Sequence, residues 1–244
     1  MPTAEYKRLL TEAYDLDKPD APEPDLERWL QYARDAHGPV LEVMCGSGRF
    51  LAPLAAAGID IDGIDASEDM LAACSRKCAA RGVTVAVYYQ FVQDLTHPRR
   101  YALAFIAAGS FGLLVDEDDY GGALRKLYDH LLPGGVLVLE AETPIGAPSR
   151  NGRWFGRWWN RPDGARIVSR DVGRYDPATH VEEGLGIYEL WVDGRLAETE
   201  LNNWVRRFWE ADELEGELER AGFVDTVVTS AYDGLTLVAE ARRP

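Results

Sequence analysis

Basic residues are scarce in this chain of 244 residues, where 26 Lys and Arg stand against 41 Asp and Glu. The formal net charge is -15 and the sequence pI is about 4.7. A negative surface field repels phosphate backbones and anionic membrane surfaces. The one Arg-rich stretch, Arg150 to Arg174, is surrounded by acidic segments. Neither nucleic acid nor a membrane is therefore expected as a partner.

Cysteines are also too few for a disulfide framework, since the chain holds only Cys45, Cys74 and Cys78. Cys74 and Cys78 lie four residues apart in a predicted helix, so they share one helix face. A metal site would need further ligands, and no nearby His or Cys supplies them. We expect core thiols and no metal.

Long apolar runs are absent. The longest nearly apolar run, Tyr101 to Val115, is too short to cross a bilayer and contains Gly109 and Ser110. It predicts a buried strand and the loop that follows. The first residues, Met1 to Arg8, hold no apolar signal core, so a cytoplasmic location is expected.

Apolar segments alternate with helical segments from residue 40 onwards, which predicts a parallel sheet covered on both faces. A final pair of strands, joined by Asp233-Gly234, follows a helix near the end of the chain. The predicted fold class is α/β, with a Rossmann-like, doubly wound, mostly parallel seven-stranded sheet. The predicted strands are Val40–Val43, Ile59–Ile64, Val83–Tyr89, Ala102–Ala107, Val136–Glu140, Phe223–Ser230 and Leu235–Ala241.

Ala165 to Trp209 breaks the alternation of strands and helices. Three segments of alternating polarity, with turns at Asp176-Pro177 and Asp193-Gly194, predict a three-stranded antiparallel meander. It forms a small β lid inserted after the fifth strand. We predict an N-terminal helical cap at 1–36, a core at 37–148 and 210–244, and the lid at 149–209.

A glycine loop, Cys45-Gly46-Ser47-Gly48, follows the first strand and allows a ligand to approach the backbone closely. Asp65 ends the second strand, nineteen residues after Gly46, where a carboxylate can accept from both ribose hydroxyls of a nucleoside. These two features do not separate a nicotinamide dinucleotide from S-adenosylmethionine, so an NAD(P)-dependent oxidoreductase stays an alternative.

Three further features favour S-adenosylmethionine. Leu51 stands where a dinucleotide fold needs Gly or Ala for close helix packing. Glu42 lies inside the first strand, where a buried acid needs a partner and the ammonium of a methionine moiety can approach it. Asp94, after the third strand, can accept from an adenine amino group.

Taken in order, these motifs resemble the class I S-adenosylmethionine-dependent methyltransferase family, over about Val40 to Glu142. Ala221-Gly222-Phe223 is also similar to the family's usual ending. The segments that resemble family motifs are Leu41 to Gly48, Gly63 to Met70, Gln93-Asp94-Leu95, Phe105 to Phe111 and Leu131 to Gly135.

The resemblance implies S-adenosyl-L-methionine as cofactor. Glu42, Gly46 and Gly48 would surround its methionine portion, with Asp65 on the ribose. Met70 would lie beside the adenine ring and Asp94 on its amino group. Tyr14 resembles an N-terminal tyrosine that closes over the cofactor in related enzymes. The expected cofactor-binding residues are Tyr14, Glu42, Cys45, Gly46, Gly48, Asp65, Ala66, Met70, Gln93, Asp94, Leu95 and Ala108.

Met44 departs from the pattern, because the family usually has the first of three glycines at this position. The favoured interpretation is that its side chain turns into the sheet. The other is altered cofactor seating, which leaves a non-catalytic binding scaffold as a second alternative.

The methyl acceptor has no comparable signature. Ala107-Ala108-Gly109-Ser110 lacks the Asn/Asp-Pro-Pro-aromatic motif of enzymes that methylate nucleobase amino groups. The lid is similar in outline to those of glycine and amino-sugar N-methyltransferases. We therefore expect methyl transfer to an oxygen or nitrogen of a small molecule, by a monomer or homodimer.

Side chains of the cap, the fifth strand and the lid are the candidates for the acceptor side. Tyr14, His180 and Arg206 are weak catalytic candidates, and His180 is expected at the surface. Glu142, Arg153 and Asn203 are further candidate polar contacts. Most of six tryptophans are expected in the lid's own core, with one or two at the pocket: Trp154, Trp158, Trp159, Trp191, Trp204 and Trp209.

Overall fold

Eleven strands and six α-helices make up the computed structural model within the residues that it describes, 6–147 and 151–244. The strands are β1 (Val40–Val43), β2 (Ile61–Asp65), β3 (Val87–Tyr89), β4 (Tyr101–Ile106), β5 (Leu131–Glu142), β6 (Phe155–Asn160), β7 (Arg166–Asp176), β8 (Val181–Val192), β9 (Arg195–Arg207), β10 (Val224–Ala231) and β11 (Thr236–Arg242). The helices are α1 (Arg8–Asp17), α2 (Glu23–Asp35), α3 (Leu51–Ala56), α4 (Glu68–Ala80), α5 (Glu117–His130) and α6 (Ala211–Arg220).

The central sheet has seven strands in the order β10-β11-β5-β4-β1-β2-β3. The five strands from β1 to β5 pair in parallel, whereas β11 is antiparallel to both β5 and β10. The predicted α/β fold with a doubly wound, mostly parallel seven-stranded sheet is confirmed. Because the winding reverses between β1 and β4, the carboxyl ends of these strands open a crevice.

Helices cover both faces of this sheet, since parallel strands with two apolar faces must be buried on both. Side chains of α5 and α6 pack on one face, and those of α2, α3 and α4 on the other. All three cysteines are buried free thiols in the second layer, as predicted from the sequence for Cys74 and Cys78. No helix in the described ranges is long and apolar enough to span a membrane.

A second sheet, called the lid sheet, contains β6, β7, β8 and β9 in that order, all antiparallel. The sequence predicted three strands, and the prediction missed β6. Five of its six residues are exposed, so its sequence shows no apolar–polar alternation, and its strand character comes from pairing with β7. The Asp193-Gly194 hairpin is confirmed, with positive φ at both residues, as a tight turn of this type requires.

Two strands of the central sheet begin more than two residues away from their predicted starts. β3 begins at Val87 rather than Val83, because only its last residues pair with β2. β5 begins at Leu131, ahead of the predicted start at Val136, because Leu131 already pairs with Tyr101. The carboxyl ends of the five parallel strands, where the crevice lies, fall within two residues of the predicted ends.

The N-terminal helices pack on both sheets. Leu9 and Ala13 of α1 are buried against Ile167 and Tyr188 of the lid sheet. Glu200 of β9 accepts hydrogen bonds from the backbone N–H of Leu9, at 2.8–2.9 Å, which satisfies an otherwise free donor at the start of α1. The division into cap, core and lid stays a prediction, and its boundary at residues 148–149 reaches outside the described residues.

Trp29 of α2 provides a test of how the cap is held. Its side chain is fully buried and stacks on Phe105 of β4, with ring centroids 4.6 Å apart. We expect Trp29→Ala to lower the free energy of unfolding by about 3–5 kcal/mol, because it leaves a large cavity. Chemical denaturation measures this, with Trp158→Ala as the matched control, since Trp158 is 65% exposed. Equal losses in both variants would contradict the packing argument.

Candidate active site

A cleft of about 770 Å³ lies between the carboxyl ends of the parallel strands and the lid sheet. Residues that follow β1, β2, β3 and β4 line one side, and α1 and the strands β6 to β9 line the other. This volume is in the range that holds a drug-sized ligand.

The glycine loop after β1 adopts left-handed backbone at Met44, Gly46 and Gly48, with φ of 57°, 53° and 76°. A Cβ at Gly48 would stand 2.5 Å from Cys74 Sγ, so the loop packs directly on α4. The Met44 side chain is partly buried against the core, and Met44 also lines the cleft, so the interpretation that it turns into the sheet stays a prediction. Its φ nevertheless explains why glycine suits this position.

Asp65 joins the glycine loop to the end of β2. Its Oδ2 accepts from the Gly46 amide at 2.8 Å, and its Oδ1 accepts from the Ser67 amide at 2.9 Å. Burial raises the pKa of the Asp65 carboxyl to about 6, although the backbone hydrogen bonds act in the opposite direction. The carboxylate lines the cleft in a fixed orientation.

Glu42 and Arg49 both line the glycine end of the cleft. Glu42 is only 3% exposed, and its Oε2 has no hydrogen-bond partner among the described residues. Burial raises the pKa of Glu42 well above its usual value. Arg49 lies with its guanidinium over the rings of Tyr14 and Phe50, at 5.9 and 4.9 Å. Arg49 was not predicted from the sequence. Its position directly after Gly48 could have indicated that it reaches the same site.

Tyr14 lines this end of the cleft from α1, beside Tyr6. Burial raises the pKa of both phenols, that of Tyr6 to about 12, so both remain protonated at neutral pH. Such phenols act as hydrogen-bond donors to a ligand.

The turn after β3 is where sequence and structure differ. Gln93 lines the cleft, and its Nε2 donates to Asp119 Oδ1 at 3.3 Å. Asp94 is exposed and Leu95 is buried in the core, and neither is among the cleft-lining residues. The short 3-10 turn Val92–Asp94 directs successive side chains in different directions. The assignment of Asp94 to the adenine amino group gains no support from this placement.

The loop after β4 is held from the neighbouring strand β5. Ala108 and Gly109 both have left-handed backbone, with φ of 57° and 71°, and both line the cleft. The buried Glu140 carboxylate accepts from the Ala108 amide at 2.5 Å and pairs with Arg28 of α2. A Cβ at Gly109 would stand 3.0 Å from Glu142 Cγ, so the Glu142 side chain lies beside this loop.

Arg206 of β9 connects the lid sheet to the core. Its Nη1 donates to Glu142 Oε2 at 2.8 Å, and its Nε donates to Glu182 Oε2 at 2.7 Å. All three side chains line the cleft. A guanidinium stays charged at any physiological pH, so Arg206 is suited to hold carboxylates rather than to accept a proton.

Two of the lid residues that were candidates for contacts with the acceptor, Asn203 and His180, do not line the cleft. Asn203 is exposed, whereas its neighbour Asn202 is buried and lines the cleft. A register shift at Leu190 and Trp191 decides which residues of β9 face inward, and the sequence does not reveal it. His180 is not among the cleft-lining residues, and its carbonyl accepts from the Phe208 amide at 2.8 Å. Arg153 does line the cleft.

The tryptophans do not form the lid's own core, so that prediction was wrong. Trp154 and Trp158 are exposed, and Trp209 is buried in the core of the central sheet. Trp159 packs partly against α1, and Trp204 lines the cleft.

Of the twelve expected cofactor-binding residues, the structure brings nine to the cleft and leaves Gly48, Asp94 and Leu95 outside its lining. The nine are Tyr14, Glu42, Cys45, Gly46, Asp65, Ala66, Met70, Gln93 and Ala108. Their roles stay predictions, and the mutations below test two of them.

Residues 40–135 match a sequence family described as a methyltransferase domain. These residues are therefore similar to a methyltransferase domain, in agreement with the resemblance of their motifs. The cofactor of this family is S-adenosylmethionine.

Two curated relatives are methyltransferases of Streptomyces. The dTDP-3-amino-3,6-dideoxy-alpha-D-glucopyranose N,N-dimethyltransferase of Streptomyces fradiae is 28% identical over 152 residues, covering 57% of this chain and 55% of the relative. The cypemycin N-terminal methyltransferase of Streptomyces sp is 31% identical over 141 residues, 57% of each protein. These matches span about half the length of the curated relatives.

The solved structure of the CcbJ methyltransferase from Streptomyces caelestis is similar over the whole chain. Its TM-score is 0.76 at 23% identity, with 100% of this chain and 99% of that chain covered. At this identity the likeness establishes the shared fold.

The cleft fits the methyltransferase cofactor, which supplies a sulfonium methyl group when bound. The Glu42 carboxylate, whose Oε2 has no hydrogen-bond partner among the described residues, suits the ammonium of a methionine moiety, because a buried charge needs a partner. Arg49 suits the carboxylate of the same moiety, and Asp65 suits the ribose hydroxyls. The glycine loop lets a ligand approach its backbone closely.

Asp65→Ala tests the ribose assignment. We expect it to weaken S-adenosylhomocysteine binding on the order of tenfold or more, because it removes charge-assisted hydrogen bonds and loosens the Gly46 amide. Calorimetry measures the affinity, with Asp69→Ala as the control, since Asp69 is exposed on α4. Unchanged binding in Asp65→Ala would remove Asp65 from the site.

From the buried carboxyl of Glu42 we predict that cofactor binding releases protons. Burial raises its pKa in the free protein, and a ligand ammonium beside it would lower that pKa again, so binding at pH 7 should release protons. The apparent enthalpy of S-adenosylhomocysteine binding should then change with the ionisation enthalpy of the buffer. Glu42→Gln should abolish this dependence, and Glu68→Gln, on the exposed side of α4, should keep it. A wild-type enthalpy that is equal in all buffers would contradict the assignment.

Proposed function

We propose that the chain is an active methyltransferase that transfers the methyl group of S-adenosylmethionine to a nitrogen of a small polar molecule. The observation that carries this proposal is a group of three carboxylates on the acceptor side. Glu142, Asp171 and Glu182 all face the cleft from β5, β7 and β8. Arg206 pairs with two of them, and Arg153 and Arg157 also line this side, so the carboxylates are balanced in charge. Carboxylates in this position can accept hydrogen bonds from an amine.

Glu142 is placed to orient the amine. It lies beside Gly109, in the segment that resembles the family motif next to the methyl group. Arg206 holds one oxygen of its carboxylate and so fixes its direction. Alignment of the nucleophile is the main requirement of an in-line methyl transfer.

Asp171 is the candidate for the proton that an ammonium must lose before it can attack. Burial raises the pKa of its carboxyl, so it accepts a proton nearer to neutral pH than an exposed aspartate does. Ser169 donates a hydrogen bond to it at 3.5 Å. The phenols of Tyr6 and Tyr14 remain available as donors to hydroxyls of the acceptor.

The relatives support nitrogen as the acceptor atom. The Streptomyces fradiae relative is an N,N-dimethyltransferase of an amino sugar, and the cypemycin relative acts at an N-terminus. The strongly negative charge of the chain supports a small molecule over nucleic acid.

A methyl-transfer screen tests the proposed class. The purified chain and radiolabelled S-adenosylmethionine are offered amino sugars, peptides with a free N-terminus, phenols and neutral sugars. We expect label in the amines. Label found only in phenols or neutral sugars would show that the acceptor atom is oxygen rather than nitrogen. Absence of cofactor binding would favour the scaffold alternative. Binding of a nicotinamide dinucleotide instead would favour an oxidoreductase.

Glu142→Gln tests the orienting role. We expect kcat/KM for an accepted amine to fall roughly ten- to hundredfold, since a hydrogen bond to a charged group is lost, while the affinity for S-adenosylhomocysteine stays unchanged. Glu183→Gln is the matched control, because Glu183 is exposed on the other side of β8. Unaltered amine kinetics in Glu142→Gln would show that this carboxylate does not meet the acceptor.

A further inference from the structure

Trp204 occupies the middle of the inner face of the lid sheet. Gly184 of β8 pairs directly with Trp204, and Gly173 of β7 pairs with Gly184. Neighbouring strands lie 4.7–4.9 Å apart, so an indole directed across the sheet reaches over both glycines. The structure shows this arrangement, because atoms of the six-membered indole ring are next to both.

The two glycines leave room for this ring. A Cβ at Gly184 would stand 2.1 Å from Cζ2 of Trp204, and one at Gly173 would stand 2.8 Å from Cη2. Neither glycine is among the residues with positive φ, so their backbone does not require glycine. Any larger residue would lift the indole from the sheet. The absence of both side chains is therefore explained by the position of the ring.

The ring also lines the cleft, with the guanidinium carbon of Arg206 5.7 Å from its centroid. Trp204 is half-buried and lines the cleft together with its inward neighbours on β9, Asn202 and Arg206. The carboxylate of Glu182, held by Arg206, occupies the space at the edge of the ring that Gly173 leaves open. An apolar surface thus lies next to a carboxylate and an amide on one wall of the acceptor side.

We infer that Trp204 is a platform on which a saturated ring of the acceptor lies, so that the acceptor is a cyclic polyhydroxylated amine. This inference rests on the proposed function. An indole face attracts cationic groups and the partly positive C–H groups beside them. The adjacent carboxylate and amide satisfy hydroxyl or ammonium groups around the ring edge. An open-chain amine with the same groups cannot cover the indole with one rigid face, and it loses more conformational entropy on binding.

The test compares two amines that carry the amine on the same carbon and differ in ring closure. The cyclic probe is 3-amino-3-deoxy-D-glucose and the open-chain probe is its reduced form, 3-amino-3-deoxy-D-glucitol. Methyl-transfer KM is measured for both, and S-adenosylhomocysteine affinity is measured as the check on folding. We expect the wild type to prefer the cyclic amine.

Four variants separate the platform from a structural role. Trp204→Leu should raise KM for the cyclic amine on the order of tenfold and leave the open-chain KM within about twofold. Trp204→Phe should recover most of the preference. Gly184→Ala should behave like Trp204→Leu, because it displaces the ring without removing it. Trp158→Leu, on an exposed tryptophan of β6, should change neither KM.

The outcomes are distinguishable. If the wild type methylates no amine, the proposed function fails and the platform fails with it. If it methylates the cyclic amine and both Trp204→Leu and Gly184→Ala keep the preference, the platform alone is overturned. A wild type that treats both amines equally also overturns it. If Trp204→Leu loses cofactor binding, the two KM values of Gly184→Ala decide whether the platform exists.

Discussion

The hydrogen bond from the Gly46 amide to the Asp65 carboxylate joins the two loops on which the site depends. It closes the left-handed glycine loop against the end of β2 and sets the direction of the carboxylate in the cleft. The other oxygen of Asp65 accepts from Ser67, whose side chain caps α4. One carboxylate thus positions a strand end, a loop and a helix start, and its orientation follows from backbone donors rather than from a ligand.

Three buried glutamates in and beside this cleft differ in whether an arginine pairs with them. Glu42 is desolvated and has no ion-pair partner among the described residues, whereas Glu140 and Glu182 are equally buried but paired with arginines. The paired acids hold structure: Glu140 holds the loop after β4, and Glu182 holds Arg206. The unpaired acid is the one suited to a ligand, because burying a charge is costly until something compensates it. The same carboxylate chemistry therefore supports the structure in two places and is free to meet a ligand in a third.

Local sequence patterns were sufficient to predict those features that depend on residues within one strand, helix or turn. The order of strands and helices, the Asp-Gly hairpin and the glycine loop depend on periodicity and on residues with special backbone preferences. Asp65 and Glu42 were predicted because each ends or interrupts an apolar strand next to that loop. The pairing between strands that are distant in the sequence could not be predicted from such local patterns. β6 has no alternation of its own, and the register shift in the β8–β9 hairpin brings Asn202 rather than Asn203 to the cleft.

By itself, the sequence determined the α/β fold class and predicted a methyltransferase with its cofactor site at the carboxyl ends of the strands. These follow from strand–helix order and from motifs whose residues are close in the chain. The tertiary structure alone decided that Arg49 stands beside Glu42, that Asp94 is outside the cleft lining and that Trp204 lies over Gly173 and Gly184. Such contacts join residues far apart in sequence, or depend on the direction of one turn, and are specified only when the sheets and helices pack.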